Sequence, residues 1–150
     1  MLRQGLLALL FCFLSVAFAQ TPGVTVAEVV ITLQNVNSSA WVVTDIQGAV
    51  GVAKLGTHNT PITLTVGERY RFVNLGTLKI HPLAIRGKGG ESLLNQRPQE
   101  RAFETDPAVG FRADGEGVSF TLTPALAEQV SSYYCTAHPA PLMEAPLNAL

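Results

Sequence analysis

Short runs of alternating, largely β-branched residues recur along most of this chain, each cut off by Gly, Asn or Pro. The runs fall at 24–33, 40–46, 61–66, 69–75, 80–85, 117–123 and 131–136. A period of two sends successive side chains to opposite faces of a strand. In 69–75 it places Tyr70, Phe72 and Asn74 on one face and Arg69 and Arg71 on the other. The runs are too short and too regularly interrupted for helices, so the chain is predicted to be all-β. Seven or eight such strands with turns between them predict a Greek-key β-sandwich. One helical turn is expected at 124–129, with Thr123 as N-cap and Pro124 at the first helical position. Only residues 147–150 are then left to complete the sheet.

Residues 86–116 break the pattern. They carry five Arg or Lys and six Asp or Glu, with Pro and Gly breaks and little periodicity. A surface excursion is expected there, holding one short helix or irregular strand. Its charges nearly cancel, which favours a solvated face over a docking patch. The whole chain has 150 residues and a formal net charge of −1. That length suits one domain with a real core. The charge excludes the basic stripe that nucleic acid requires.

The first nineteen residues read as a secretory signal. Arg3 supplies the positive start, residues 6–18 are apolar apart from Ser15, and Ala17-Phe18-Ala19 gives a small-x-small cleavage pattern before Gln20. The apolar run is too short for a comfortable membrane span. Cys12 follows Phe11, where a lipid-attachment signal wants a small residue, so no lipid anchor is expected. The expected organisation is therefore a removed signal at 1–19 and one domain at 20–150, periplasmic or secreted, with no membrane insertion after cleavage.

Removing the signal leaves one cysteine, Cys135, in a compartment where thiols normally pair. It also leaves Met143 as the one methionine and three histidines. Four of those five residues form a pattern: Cys135, His138 and Met143 are spaced C-x2-H-x4-M, and His81 follows a strand-like run far upstream. One Cys, two His and a weak Met are the ligand set of a blue-copper electron-transfer site. A soft thiolate suits Cu(I), and imidazole suits both oxidation states. Pro139 and Pro141 fix φ and stiffen the loop that presents three of the four. Each residue alone has a plainer reading: a buried thiol, a surface or loop histidine, a core methionine. Their joint occurrence carries the argument. His58, between Thr57 and Asn59, reads as a polar loop residue.

The run Tyr134-Cys135-Thr136-Ala137-His138 with Met143, and Gly67-Glu68 with Phe72, Asn74 and His81, resemble the cupredoxins of the plastocyanin and pseudoazurin type. The resemblance runs at pattern level from about Thr25 to the C-terminus and is specific at these two places. It implies an eight-stranded, cupredoxin-like sandwich with one type 1 copper ion at one end, bound by His81, Cys135, His138 and Met143. It also implies a one-electron carrier cycling Cu(I)/Cu(II), a monomer that docks its redox donor and acceptor transiently near His138. Pro139, Ala140, Pro141 and Leu142 are suited to the apolar rim of that docking patch. A periplasmic copper-handling protein is the alternative, although Met- or His-rich tracts are missing. With four protein ligands there is no open position for substrate, so no enzymatic activity is expected. Two features depart from the family. Pro82 stands where many members have an Asn whose side chain ties the two ligand loops together. The 86–116 excursion is also longer and less acidic than in plant plastocyanins.

Overall fold

The computed structural model describes residues 27–150; the expected signal at 1–19 and the start of the first strand lie outside the described residues. Ten strands and two short helices follow in the order β1 (Glu28–Val36), β2 (Ala40–Gln47), β3 (Ile62–Leu64), β4 (Arg69–Asn74), β5 (Leu83–Gly87), β6 (Ser92–Asn95), α1 (Ala102–Thr105), β7 (Arg112–Asp114), β8 (Gly117–Thr121), α2 (Pro124–Gln129), β9 (Val130–Cys135) and β10 (Glu144–Ala149). They form two five-stranded sheets, ordered β2-β1-β4-β8-β7 and β3-β10-β9-β5-β6. Both sheets are mixed: β1 runs parallel to β4 and β10 parallel to β3, while the other pairs are antiparallel. The architecture is the all-β sandwich expected. Among the described residues no helix is long and apolar enough to cross a membrane.

Alternation decides which side chains meet between the sheets. In β4, Tyr70, Phe72 and Asn74 point inward and Arg69, Arg71 and Val73 lie at the surface side. Phe72 stacks on Phe120 of β8, centroids 5.7 Å apart, and meets Tyr133 of the opposite sheet at 6.5 Å. Trp41, Phe72, Phe120 and Tyr133 are completely buried. Burying one large apolar side chain is worth about 1.5–3 kcal/mol. A partly exposed surface ion pair such as Arg69–Glu28, 3.5 Å apart, is worth about 0–1 kcal/mol. The core therefore holds the sandwich together. Gly117 opens β8 because a Cβ there would run into the Phe72 carbonyl. Thr123 caps α2 as expected, its hydroxyl accepting from the Leu126 amide at 3.3 Å.

Three expectations need correction. There are ten strands rather than seven or eight, because the excursion contributes β6 and β7. The last strand begins at Glu144, earlier than 147. His81 lies on a turn and not in a strand. Thr77 adopts a positive φ of 64°, and its carbonyl accepts from the His81 amide at 2.9 Å. Pro82 has no N–H for a ladder, so β5 starts at Leu83.

The excursion is also less loosely solvated than its charges suggest. The Glu104 side chain is only 2% exposed. It accepts hydrogen bonds from the backbone amides of Asn95 (2.9 Å), Gln99 (2.7 Å) and Arg101 (3.2 Å). A carboxylate that satisfies several amides folds the segment back on itself, a role that charge counting cannot show.

Asp114 holds the β7–β8 hairpin in a similar way. It accepts from Arg71 (2.8 Å) and from the amides of Glu116 (2.8 Å) and Gly117 (3.0 Å). The Arg71 hydrogen bond, helped by those amides, holds its carboxyl below the usual carboxylate range. The unfolded chain therefore takes up this proton first as pH falls. The resulting stabilisation is complete above the ordinary value of 3.8 and is lost progressively below it. Asp114→Asn should melt at a lower temperature than the parent at pH 7, with the gap closing as pH drops below that value. A gap that stays constant down to pH 2 would show that the carboxylate charge contributes nothing.

Candidate metal centre

Cys135 ends β9 on its inward face, two residues after buried Tyr133, with Tyr134 turned outward beneath Arg86 at 3.9 Å. Strand β5 pairs antiparallel with β9 and sets Leu83 opposite Cys135. The turn carrying His81, two residues before Leu83, is thereby brought against the end of β9. Further backbone hydrogen bonds close the arrangement: Thr136 N–H donates to the Pro82 carbonyl (2.9 Å) and Cys135 N–H to the Met143 carbonyl (3.0 Å). His138 follows on a turn closed by its own amide to the Cys135 carbonyl at 3.4 Å. Met143 has a positive φ of 50°, is fully buried, and donates its amide to the Ser39 carbonyl at 3.3 Å.

These constraints gather three side chains. Cys135 Sγ lies 3.2 Å from His138 Nδ1 and 3.8 Å from His81 Nδ1. All three donor atoms lie within 4.8 Å of one another. The imidazoles stack with centroids 4.9 Å apart and planes at 24°. Trp41 meets the His81 ring edge-on at 6.2 Å. For metal–nitrogen and metal–sulfur bonds of about 2.0 and 2.3 Å, a sulfur and a nitrogen at tetrahedral-to-trigonal angles sit roughly 3.5–3.7 Å apart. The observed distances bracket that range closely enough for an ion to be held with small side-chain shifts. The group can hold a metal ion.

Its electrostatics agree with that use. Burial pushes the His81 pKa below the ordinary histidine value, and the neighbouring His138 adds to the effect. The imidazole is thus held in the neutral form that ligates. Burial likewise pushes the Cys135 thiol up, opposed by the backbone amides of Ala137 and His138 and by the charge of Arg97. A bound cation reverses this thiol's preference outright, because a coordinating sulfur is deprotonated. Cys135 is the free cysteine of the described residues.

Of the residues singled out by sequence, His81, Cys135 and His138 are brought together, and Met143 adjoins Cys135 through the backbone. His58 is not part of the cluster; it is exposed and only bridges Val42 through its backbone. Where many cupredoxins use an Asn side chain, the two loops here are tied through backbone groups, the Thr136 amide and the Pro82 carbonyl. The sequence placed Asn74 on the inward face and in the pattern shared with His81, but gave it no contact. Its Nδ2 donates to the His81 carbonyl (2.7 Å) and its Oδ1 accepts from the Gly76 amide (2.8 Å). A polar residue ending an inward apolar row was the available signal. Gln96 had none, since nothing local marks it.

No known family matches the chain, and neither a curated protein nor a solved structure is significantly similar to it. Geometry must therefore carry the functional reading. His81→Ala and His138→Ala should each weaken metal uptake, by more than the roughly 10–100-fold that loss of an outer-shell partner costs. His58→Ala should leave it unchanged. Calorimetric titration of the three variants checks this, and equal losses for all three would remove the cluster as the binding site.

Proposed function

We propose that this is an exported blue copper protein that carries single electrons between redox partners. The observation that carries the reading is the buried cluster of one thiol and two imidazoles. That donor set suits copper, because sulfur favours Cu(I) and imidazole accepts both oxidation states. Copper held there would take up one electron from a donor and pass it to an acceptor. Met143 is the proposed fourth, weak axial ligand, supported by its burial and its backbone bond to Cys135. The chain's part is to keep the ligands still. Cys135 is held by pairing with Leu83 of β5 on one side and by the Met143 carbonyl on the other, and Pro139 and Pro141 restrict the loop that follows.

Access supports a particular docking face. His81 and Cys135 are buried, whereas His138 is partly exposed among exposed Pro139, Ala140, Pro141 and Leu142. Partners would approach there, over a low barrier of apolar contacts, and leave again. With its four protein ligands in place the ion would have no position free for substrate, so no catalysis is proposed. The signal at 1–19 supports export to the periplasm or beyond, and the domain is proposed to act as a monomer.

Addition of Cu(II) to the mature domain should produce an intense blue thiolate-to-copper band that ascorbate bleaches. Cys135→Ser should abolish the band while the far-ultraviolet β signature persists. A band that survives this substitution, or a parent protein that stays colourless, would sink the assignment. Met143→Gln should retain copper and lower the reduction potential, because a harder oxygen ligand favours Cu(II). An unchanged potential would mean that Met143 is not axial.

A further inference from the structure

The excursion between β5 and β8 sends one short segment back to the metal end of the sandwich. Glu104 anchors that segment through the Asn95 and Gln99 amides, and Asn95 Oδ1 accepts from the Arg97 amide at 2.8 Å. Of the three residues held between these anchors, Arg97 reaches the turn bearing His81 and Gln96 reaches the strand residues on either side of it. Gln96, 2% exposed, is bonded at every polar atom of its side chain. Its Oε1 accepts from Asn74 Nδ2 (2.7 Å) and from the Leu83 amide (3.2 Å), and its Nε2 donates to the Asp114 carbonyl (3.0 Å). Its own amide donates to the Leu83 carbonyl at 2.8 Å. Arg97, at the surface, donates through Nη2 to the carbonyls of Leu78 (3.1 Å) and Lys79 (3.2 Å).

We propose that segment 95–97 is a clamp on the His81 turn, with Gln96 the positioning residue for His81. The backbone geometry explains why such a clamp is needed. The turn carries a positive-φ Thr77, and Pro82 has no N–H to donate, so the end of β9 holds it only through the Thr136 amide on the Pro82 carbonyl. Gln96 fixes both backbone polar groups of Leu83, on one side of His81. Through Asn74 it also orients the amide that holds the His81 carbonyl. Arg97 holds the residues on the other side. His81 is bracketed, and its ring direction follows from the bracket. The side-chain amides of Asn74 and Gln96 thus hold the His81 turn from the side away from the Cys135 loop. The inference rests on the metal-binding reading for its purpose, but the clamp itself can be tested without metal.

Gln96→Leu keeps the volume and removes the hydrogen bonds. In the metal-free protein, amide exchange at His81 and Leu83 should accelerate roughly tenfold or more, while Phe72 and Val118 in the core stay as slow as in the parent. Cu(II) affinity should fall roughly 10–100-fold, as it does when an outer-shell partner of a ligand is lost. Leu126→Ala, a core truncation in α2, should lower the melting temperature while leaving both readouts at the parent's values. Unchanged exchange at His81 and Leu83 would overturn the proposal. So would faster exchange with full copper affinity, because the ring would then be positioned by something else. Uniform loosening of every amide in Gln96→Leu with full affinity would reduce Gln96 to an ordinary core residue. If that variant does not fold, Arg97→Ala takes its place, since an exposed residue is dispensable for the core; no change in its exchange or affinity would likewise overturn the clamp. If the unaltered protein takes up no copper, the proposed function falls, and the exchange rates in the metal-free proteins still decide whether 95–97 holds the turn.

Discussion

The pairing of β5 with β9 is the contact on which the candidate site depends. It sets Leu83 against Cys135, joining two stretches of chain more than fifty residues apart. From that register His81 follows two residues upstream and His138 three residues downstream, each on a turn beyond its strand. A slip of one residue would turn Cys135 to the outer face and Tyr134 to the core. Tyr133 guards the register: its ring fills the core beside Phe72 and its hydroxyl donates to the Thr60 carbonyl at 2.8 Å. The core therefore aims the thiol before any metal arrives.

Burial gives the cluster its chemical tension. A thiol and an imidazole withdrawn from water both lose their preference for charge, one rising and the other falling in pKa. The pair is thus neutral and preassembled, its donor atoms within 4.8 Å of each other and of the His138 nitrogen. A cation placed among them could accept lone pairs from all three. Rigid strands on one side and a proline-stiffened loop on the other limit how far these three side chains can move.

The excursion shows how misleading charge counts are without partners. Its carboxylates and guanidiniums nearly cancel, and on a solvated face each would contribute little. Here Glu104 is buried among backbone amides, and Arg97 is spent on carbonyls of the His81 turn. These are interactions between side chains and main chain. They leave no periodic trace, because backbone polar groups are the same at every position.

Strand alternation was legible because it is local: Tyr70, Phe72 and Asn74 fall on one face whatever they later pack against. The same holds for the Thr123-Pro124 helix start and for the spacing of Cys135, His138 and Met143 within one loop. The all-β class and the candidate ligands therefore came from the amino-acid order alone. Tertiary structure decided the rest. Strand partners are chosen by packing between distant segments, so the mixed sheets and the two strands inside 86–116 could not be read off. His81 seemed part of a strand by composition, yet Pro82 and the positive φ of Thr77 made it a turn. Its approach to Cys135, and the Gln96–Asn74 support beneath it, exist only once both sheets have closed on a common core. Residue types set which atoms can bind a metal; long-range pairing set which of them meet.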